Sequence, residues 1–341
     1  MLDPRADNVK TRTPLTQALT TKFSTLALIG VLATSGVAGA TETGRIKVTD
    51  INTTTHPFTT LHCARQPLQV RFFGNLAEVV INNQSRILVQ AISASGARYV
   101  APNDDTTELW GKGPFATVTW SGQTLPLCAP AGAIIPPFRA SGNEPFWAIT
   151  YNGWQVTLTR PGHPDQTRDA QISETTSRGQ TLQAGQGPHA WKITASDSVC
   201  TDTMTGMPHP QTVTLNQGDQ TYTGCGGAPE RLLQGATWRV THINDAPVSA
   251  TSSAEITFLP NNQLAGNSGC NRFFGSYTLT GESLTVKGLG STRMACAPND
   301  MALEDRLLQN LSQLEGFTLD EPDVLTLRTA GGAIRATTRP L

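Results

Sequence analysis

A chain of 341 residues is too long for one small core, and two or three domains are expected. Charged residues make up 15% and aromatics 6%, with 31 Gly and 22 Pro, a balance that favours many short strands and turns over long helices. The formal charge of −1 offers no basic field for a nucleic acid.

The N-terminus reads as an export signal. Lys10, Arg12 and Lys22 precede an apolar run from Leu26 to Val37, and Ala38-Gly39-Ala40 fits a small-residue cleavage site. Residues 1–40 are therefore expected to be a signal peptide cleaved near Ala40. The apolar run is too short for a comfortable membrane span. No lipobox cysteine follows it, since the first cysteine is Cys63. The Thr-rich stretch 41–58 is expected to be a flexible leader.

All six cysteines follow that site, and they fall in three pairs by position: Cys63 with Cys128, Cys200 with Cys225, and Cys270 with Cys296. Six cysteines allow fifteen connectivities. One bridge per domain is the simplest of them. No C-x-x-C occurs, so neither a zinc nor a redox motif is expected. Export and paired cysteines agree on an oxidising compartment, the periplasm.

From Leu68 the pattern alternates, with Leu68, Val70 and Phe72 on one face and Gln69 and Arg71 on the other. Glu78–Ile81, Ile87–Ala91 and Phe115–Trp120 continue as short β-rich segments, so an all-β body is expected over 59–130. Gly111-Lys112-Gly113 reads as a tight turn with the lysine at its tip, and Ser95-Gly96 as a second turn.

These two turns carry a resemblance. S-A-S-G-A-R-Y (Ser93–Tyr99) followed by W-x-K-G (Trp110–Gly113), between Cys63 and Cys128, resembles the MliC/PliC family of bacterial inhibitors of c-type lysozyme. The resemblance covers about Thr59 to Pro130 and implies an eight-stranded antiparallel barrel. It also implies a lysozyme-binding set of Ser95, Gly96, Tyr99, Lys112 and Gly113, with the lysine and serine entering the lysozyme cleft. Tyr99 and Trp110 are expected to pack beneath the loops. The chain departs from the family at Gly111, where serine is frequent, and in Val100–Leu109, expected to be a longer and more acidic loop. Asp104, Asp105 and Glu108 of that loop are expected to steer association with a basic lysozyme.

Residues 131–140, proline-rich and uncharged up to Arg139, are expected to be a linker. Residues 141–227 open with G-N-E-P-F-W and place Asn152-Gly153 between two alternating segments, a strong hairpin signal. With C-x-D-x-M-T-G (Cys200–Gly206) they resemble an uncharacterised bacterial envelope domain, expected to be all-β. Residues 228–341 contain S-G-C-N-R-F-F-G-S-Y (Ser268–Tyr277) and T-R-M-A-C (Thr292–Cys296), which resemble the META domain of HslJ-like heat-shock proteins. Leu303, Leu307, Leu311 and Leu314 share one helical face, with Asn299 or Asp300 as cap and Gly316 as stop. The expectation there is an antiparallel sheet with one packed helix.

Candidate chemistry is sparse. Glu144, Cys200, Asp202 and His209 do not form a recognisable nucleophile and base set, and Cys200 is better explained as half of a bridge. His163, His189 and His209 match no ligand spacing. Neither catalysis, nor a cofactor, nor a metal is expected. The expected partner is a c-type lysozyme, and the sequence specifies no oligomeric state. The alternative is an envelope stress or adaptor protein whose middle and META domains bind another envelope ligand. Mass spectrometry of the exported protein without reduction should find a chain starting near Thr41 with no alkylatable thiol. A full-length chain with six reactive cysteines would overturn the export reading.

Overall fold

The structure, a computed structural model, describes residues 56–339. The expected signal peptide, its cleavage near Ala40 and residues 41–55 of the leader lie outside the described residues. Among the described residues no helix is long and apolar enough to cross a membrane. The strands form three sheets, each with its own hydrophobic core, and their ladders are antiparallel.

The first sheet is an up-and-down meander through Thr59–Cys63, Gln66–Phe73, Leu76–Ile81, Gln84–Ala91, Ala97–Ala101, Asp104–Lys112 and Phe115–Trp120. Cys128–Ala129 lies between the first and last of these, and Asp104–Lys112 also pairs with Phe115–Trp120. Eight strands thus form a closed ring, the small barrel expected from the resemblance, with Gln123–Thr124 as a short addition. Alternation sets its inside: Leu68, Val70, Val79, Leu88, Leu109 and Val118 are buried in one cluster. The meander puts the turns at Gly74-Asn75, 92–96 and Gly113-Pro114 at one end. The turns at Ala64-Arg65, Asn82-Asn83, Pro102-Asn103 and Ser121-Gly122 are at the other.

The second body is a closed eight-stranded barrel running from Phe138–Asn143 to Gln220–Gly226, sealed by Ala140 pairing with Gly226 and Ser141 with Cys225. Its core holds Trp147, Trp191, Ile149 and Leu215. The third is a curled sheet with outer strands Leu284–Ser291 and Leu314–Glu321, linked by the helix Pro298–Ser312. Leu303, Leu307 and Leu311 bury the helix against Trp238, Phe258 and Phe317.

Three expectations change. Residues 131–140 are not a free linker. Ile134, 2% exposed, and Phe138 pack into the second core. The Ile134 N–H donates to Gln180 Oε1 at 2.8 Å, and Phe138 already begins a strand. An uncharged Ile-Ile-Pro-Pro-Phe run gains more from burial than from hydration. The helix has Ala297 at its cap position and Pro298 in its first turn, with no side-chain cap, so Asn299 and Asp300 lie inside it. Gln313 ends the helix, and Leu314 and Gly316 belong to the next strand.

Disulfides join Cys63 to Cys128, Cys200 to Cys225 and Cys270 to Cys296. Loops of 65, 25 and 26 residues correspond to roughly 3–4 kcal/mol each in the chain-entropy account.

The first barrel docks on the third sheet through the end that holds Arg65. Its guanidinium hydrogen-bonds to the Pro322 carbonyl and to Asp323 (3.0 Å) and lies 5.0 Å from the Trp238 ring centroid. Arg231, just before the third sheet, donates to the carbonyls of Leu127 (2.8 Å) and His62 (3.0 Å). Burial lowers the Arg231 pKa from its ordinary value, opposed by Asp197. Gly235 sits so close that a Cβ there would lie 2.3 Å from the Cys63 carbonyl oxygen. Limited proteolysis of the folded protein should therefore spare residues 131–140. Ile134→Ala should cost about 2–5 kcal/mol in denaturant unfolding. Rapid cleavage in that stretch, or an unchanged midpoint, would return it to the status of a linker.

Candidate functional site

The two turns singled out in the sequence meet at the end of the first barrel away from the docked face. Ala97 pairs with Gly111 and Arg98 with Trp110, so the 92–96 turn emerges beside Lys112. Lys112 pairs with Phe115 and closes its own hairpin through Gly113 and Pro114. The interbody hydrogen bonds of Arg65 and Arg231 all lie at the opposite end.

The 92–96 turn is held by its own hydrogen bonds. Ser93 Oγ donates to the carbonyls of Ser95 (3.2 Å) and Gly96 (3.1 Å). Trp110 Nε1 donates to the Ser95 carbonyl at 2.8 Å and ties the turn to the neighbouring strand. Gly96 has φ +69°, and a Cβ there would sit 2.3 Å from the Gly111 carbonyl oxygen. Gly113 has φ +60° but opens onto free space. The first glycine is needed for close approach, and the second only for its dihedral.

Ser95 and Lys112 are both exposed. Among the described residues Ser95 Oγ has no hydrogen-bond partner and Lys112 no ion-pair partner. Lys112 is also the only lysine between residues 48 and 191. The end of the barrel therefore presents one uncommitted ammonium and one uncommitted hydroxyl on adjacent turns. Together they are suited to receiving carboxylates.

Tyr99 does not belong to this exposed set. It is 6% exposed and packs 5.3 Å from Phe72, ring to ring, inside the barrel mouth. It supports the turn from below, because its position alternates inward beside Leu109. Trp110, expected to pack beneath the loops, instead faces outward, 40% exposed with its N–H engaged, because it alternates with the buried Leu109.

The acidic stretch is also placed differently from expectation. Residues 100–109 are two paired strands around the turn at Pro102-Asn103. Asp104 and Asp105 lie at the far end of a nine-residue strand from Lys112, roughly 25 Å away at the rise of an extended chain. Asp104 pairs with Arg86 at 2.7 Å and Glu108 with Arg98 at 2.8 Å. The hydrogen bonds from Arg98 hold the Glu108 carboxyl below the usual carboxylate range. A lowered value means that the pair is intact at neutral pH and is lost only as pH falls through that lowered value.

Elsewhere several polar groups of the motifs are engaged within their own bodies. Asp202 accepts from the N–H groups of Met204 and Thr205 and from Asn143, joining two motifs of the second barrel. Cys200 is bridged. Asn271, 1% exposed, donates to Glu304 (2.9 Å) and accepts from Thr292 Oγ1 and the Met294 N–H. Glu304 also accepts from Ser268 at 2.8 Å. The sequence reading missed this buried carboxylate, although an acidic residue on the leucine face of the helix was a visible signal. No group of His, Cys, Asp and Glu suited to a metal occurs among the described residues.

Comparison with known proteins separates two regions. Residues 62–126 match the family model described as membrane-bound lysozyme-inhibitor of c-type lysozyme, and residues 231–340 match the META domain. Neither is an enzyme family. The chain is similar to heat shock protein HslJ of Escherichia coli (strain K12), 36% identical over 104 residues, which is 30% of this chain and 72% of that protein. An NMR structure of a protein from Burkholderia xenovorans is 25% identical, covering 33% of this chain and 86% of that one, with a TM-score of 0.28. A second NMR structure is 32% identical, covering 33% and 94%, also with a TM-score of 0.28.

Gly96→Ala should displace the 92–96 turn, breaking the Trp110 to Ser95 hydrogen bond and shifting tryptophan fluorescence. Gly113→Ala should cost only about 1–2 kcal/mol of left-handed strain and leave that signal alone. Equal effects of the two would show that close approach at Gly96 does not hold the site.

Proposed function

Because the chain belongs to the META-domain family through residues 231–340 and carries a membrane-bound lysozyme-inhibitor of c-type lysozyme domain at 62–126, we propose that it is an exported inhibitor whose Lys112 and Ser95 plug the lysozyme cleft. A lysozyme cleft holds two carboxyl groups, one protonated as acid and one ionised. The Lys112 ammonium pairs with the ionised carboxylate, and Ser95 Oγ hydrogen-bonds to the other. The observation that carries this reading is the adjacency, among the described residues, of an uncommitted ammonium and an uncommitted hydroxyl on two neighbouring turns, the serine's braced by Trp110, at the end opposite the interbody hydrogen bonds of Arg65 and Arg231. Bracing matters because turns already ordered lose little freedom on binding.

The three disulfides fit an exported chain, and the periplasm is the proposed compartment. The proposed division is 59–130 for inhibition, 141–227 for the second barrel and 228–341 for the META domain.

Removing one partner of a desolvated charge pair costs roughly 2–5 kcal/mol, and losing one hydrogen bond to a charged group about 1.5–3 kcal/mol. Lys112→Ala should therefore raise the inhibition constant against a c-type lysozyme by roughly 30-fold or more, and Ser95→Ala by somewhat less. Lys112→Arg should also inhibit poorly, since a planar fork does not replace a compact ammonium. A folded Lys112→Ala protein that inhibits as well as the parent would overturn the plug.

A further inference from the structure

Ile92 follows the strand Gln84–Ala91 and is 97% exposed, more than any other large hydrophobic side chain among the described residues. A lone exposed isoleucine is ordinary on a protein surface, so exposure by itself carries nothing. Its place in the fold does. Ala91 pairs with Arg98 and Ala97 with Gly111, so Ile92 opens the same five-residue turn that carries Ser95 and Gly96 and returns beside Lys112. Trp110 stands on the next strand, its indole tied to the Ser95 carbonyl and its ring partly open to solvent. The uncommitted ammonium and hydroxyl therefore share their end of the barrel with exposed apolar side chains, Ile92, Trp110 and Phe72 among them, and Ile92 sits on the turn held by the hydrogen bonds of Ser93 and Trp110.

Polar groups accompanied by apolar side chains on a rigid element have the composition of an interface centre, where apolar neighbours exclude water from the charged contacts. The occupant suggested by that chemistry is specific. A lysozyme cleft keeps its acid protonated by holding one carboxyl in an apolar pocket. A side chain arriving with Ser95 at that carboxyl therefore meets an apolar wall.

We propose that Ile92 is an apolar anchor of the inhibitory surface, buried on binding against the apolar wall of the lysozyme cleft beside the carboxyl that Ser95 contacts. This rests on the lysozyme reading above. Ile92 supplies contact area at the centre and, by keeping water out, strengthens the pairing of Lys112 in a lower dielectric. The anchor is insensitive to salt, whereas the ion pair is screened.

The test compares the full chain with Ile92→Ser, Ile92→Leu and Lys112→Ala, measuring inhibition constants and dissociation rates against a c-type lysozyme at low and high salt. Thermal unfolding serves as the folding check. Full burial of an isoleucine side chain corresponds to roughly a 10- to 100-fold change, so Ile92→Ser should weaken inhibition by that factor, mostly through faster dissociation. Its unfolding midpoint should match the parent, the loss should persist at high salt, and Ile92→Leu should recover most of it. If the parent does not inhibit, the lysozyme reading fails and the anchor with it. If the parent inhibits, Lys112→Ala is impaired and folded Ile92→Ser equals the parent, the anchor alone is overturned. Should Ile92→Ser unfold early, Ile92→Ala replaces it under the same criteria.

Discussion

The pairing of Ala97 with Gly111 is the constraint on which the candidate site depends. It fixes the exit of one turn against the end of the neighbouring strand, and Gly96 is the residue that lets the two backbones come that close. Once that register is set, Trp110 lies within reach of the Ser95 carbonyl and Lys112 turns into its hairpin beside Ser95. A slip of one residue would turn every side chain on the strand to the opposite face, sending Lys112 inward and Leu109 out. The buried row of Leu109, Val118 and Leu88 makes that slip costly, so the core holds the site in register.

Ring closure and docking then divide the barrel into two ends with different tasks. The Arg65 end is consumed by contacts with the third sheet: a cation over Trp238, an ion pair with Asp323 and a glycine pressed onto the Cys63 carbonyl. The Cys63 to Cys128 bridge lies beside these contacts and ties the last short strand to the first. The Lys112 end contributes none of the interbody hydrogen bonds made by Arg65 and Arg231. A meander barrel makes this separation natural, because alternate turns fall at opposite ends.

In the other two bodies, Asp202, Asn271 and Glu304 are taken up by internal hydrogen bonds. Asp202 closes a turn and joins two motifs of the second barrel. Asn271 and Glu304 hold the helix, the Ser268 turn and the segment leading to Cys296 in one buried network. A buried carboxylate satisfied by several neutral donors keeps those segments together without an ion pair. Arg272 and Arg293, in contrast, point to solvent beside the exposed Phe274 and Met294.

Alternation and cysteine placement were enough to indicate an all-β protein with three bridges, because strand period and local cysteine pairs are properties of short stretches. The two turn motifs, read from glycine spacing, were legible for the same reason. The sequence could not tell that 131–140 is buried, since proline-rich composition describes a solvated spacer and a packed edge equally well; Ile134 and Phe138 finding the second core decided it. Nor could it tell that 100–109 is paired strand rather than acidic loop, because Arg86 and Arg98 reach those carboxylates only across a sheet. Tyr99 and Lys112 lie in neighbouring motifs, yet one is inside and the other outside. Composition treats them alike, and only strand register, a tertiary property, sorts them.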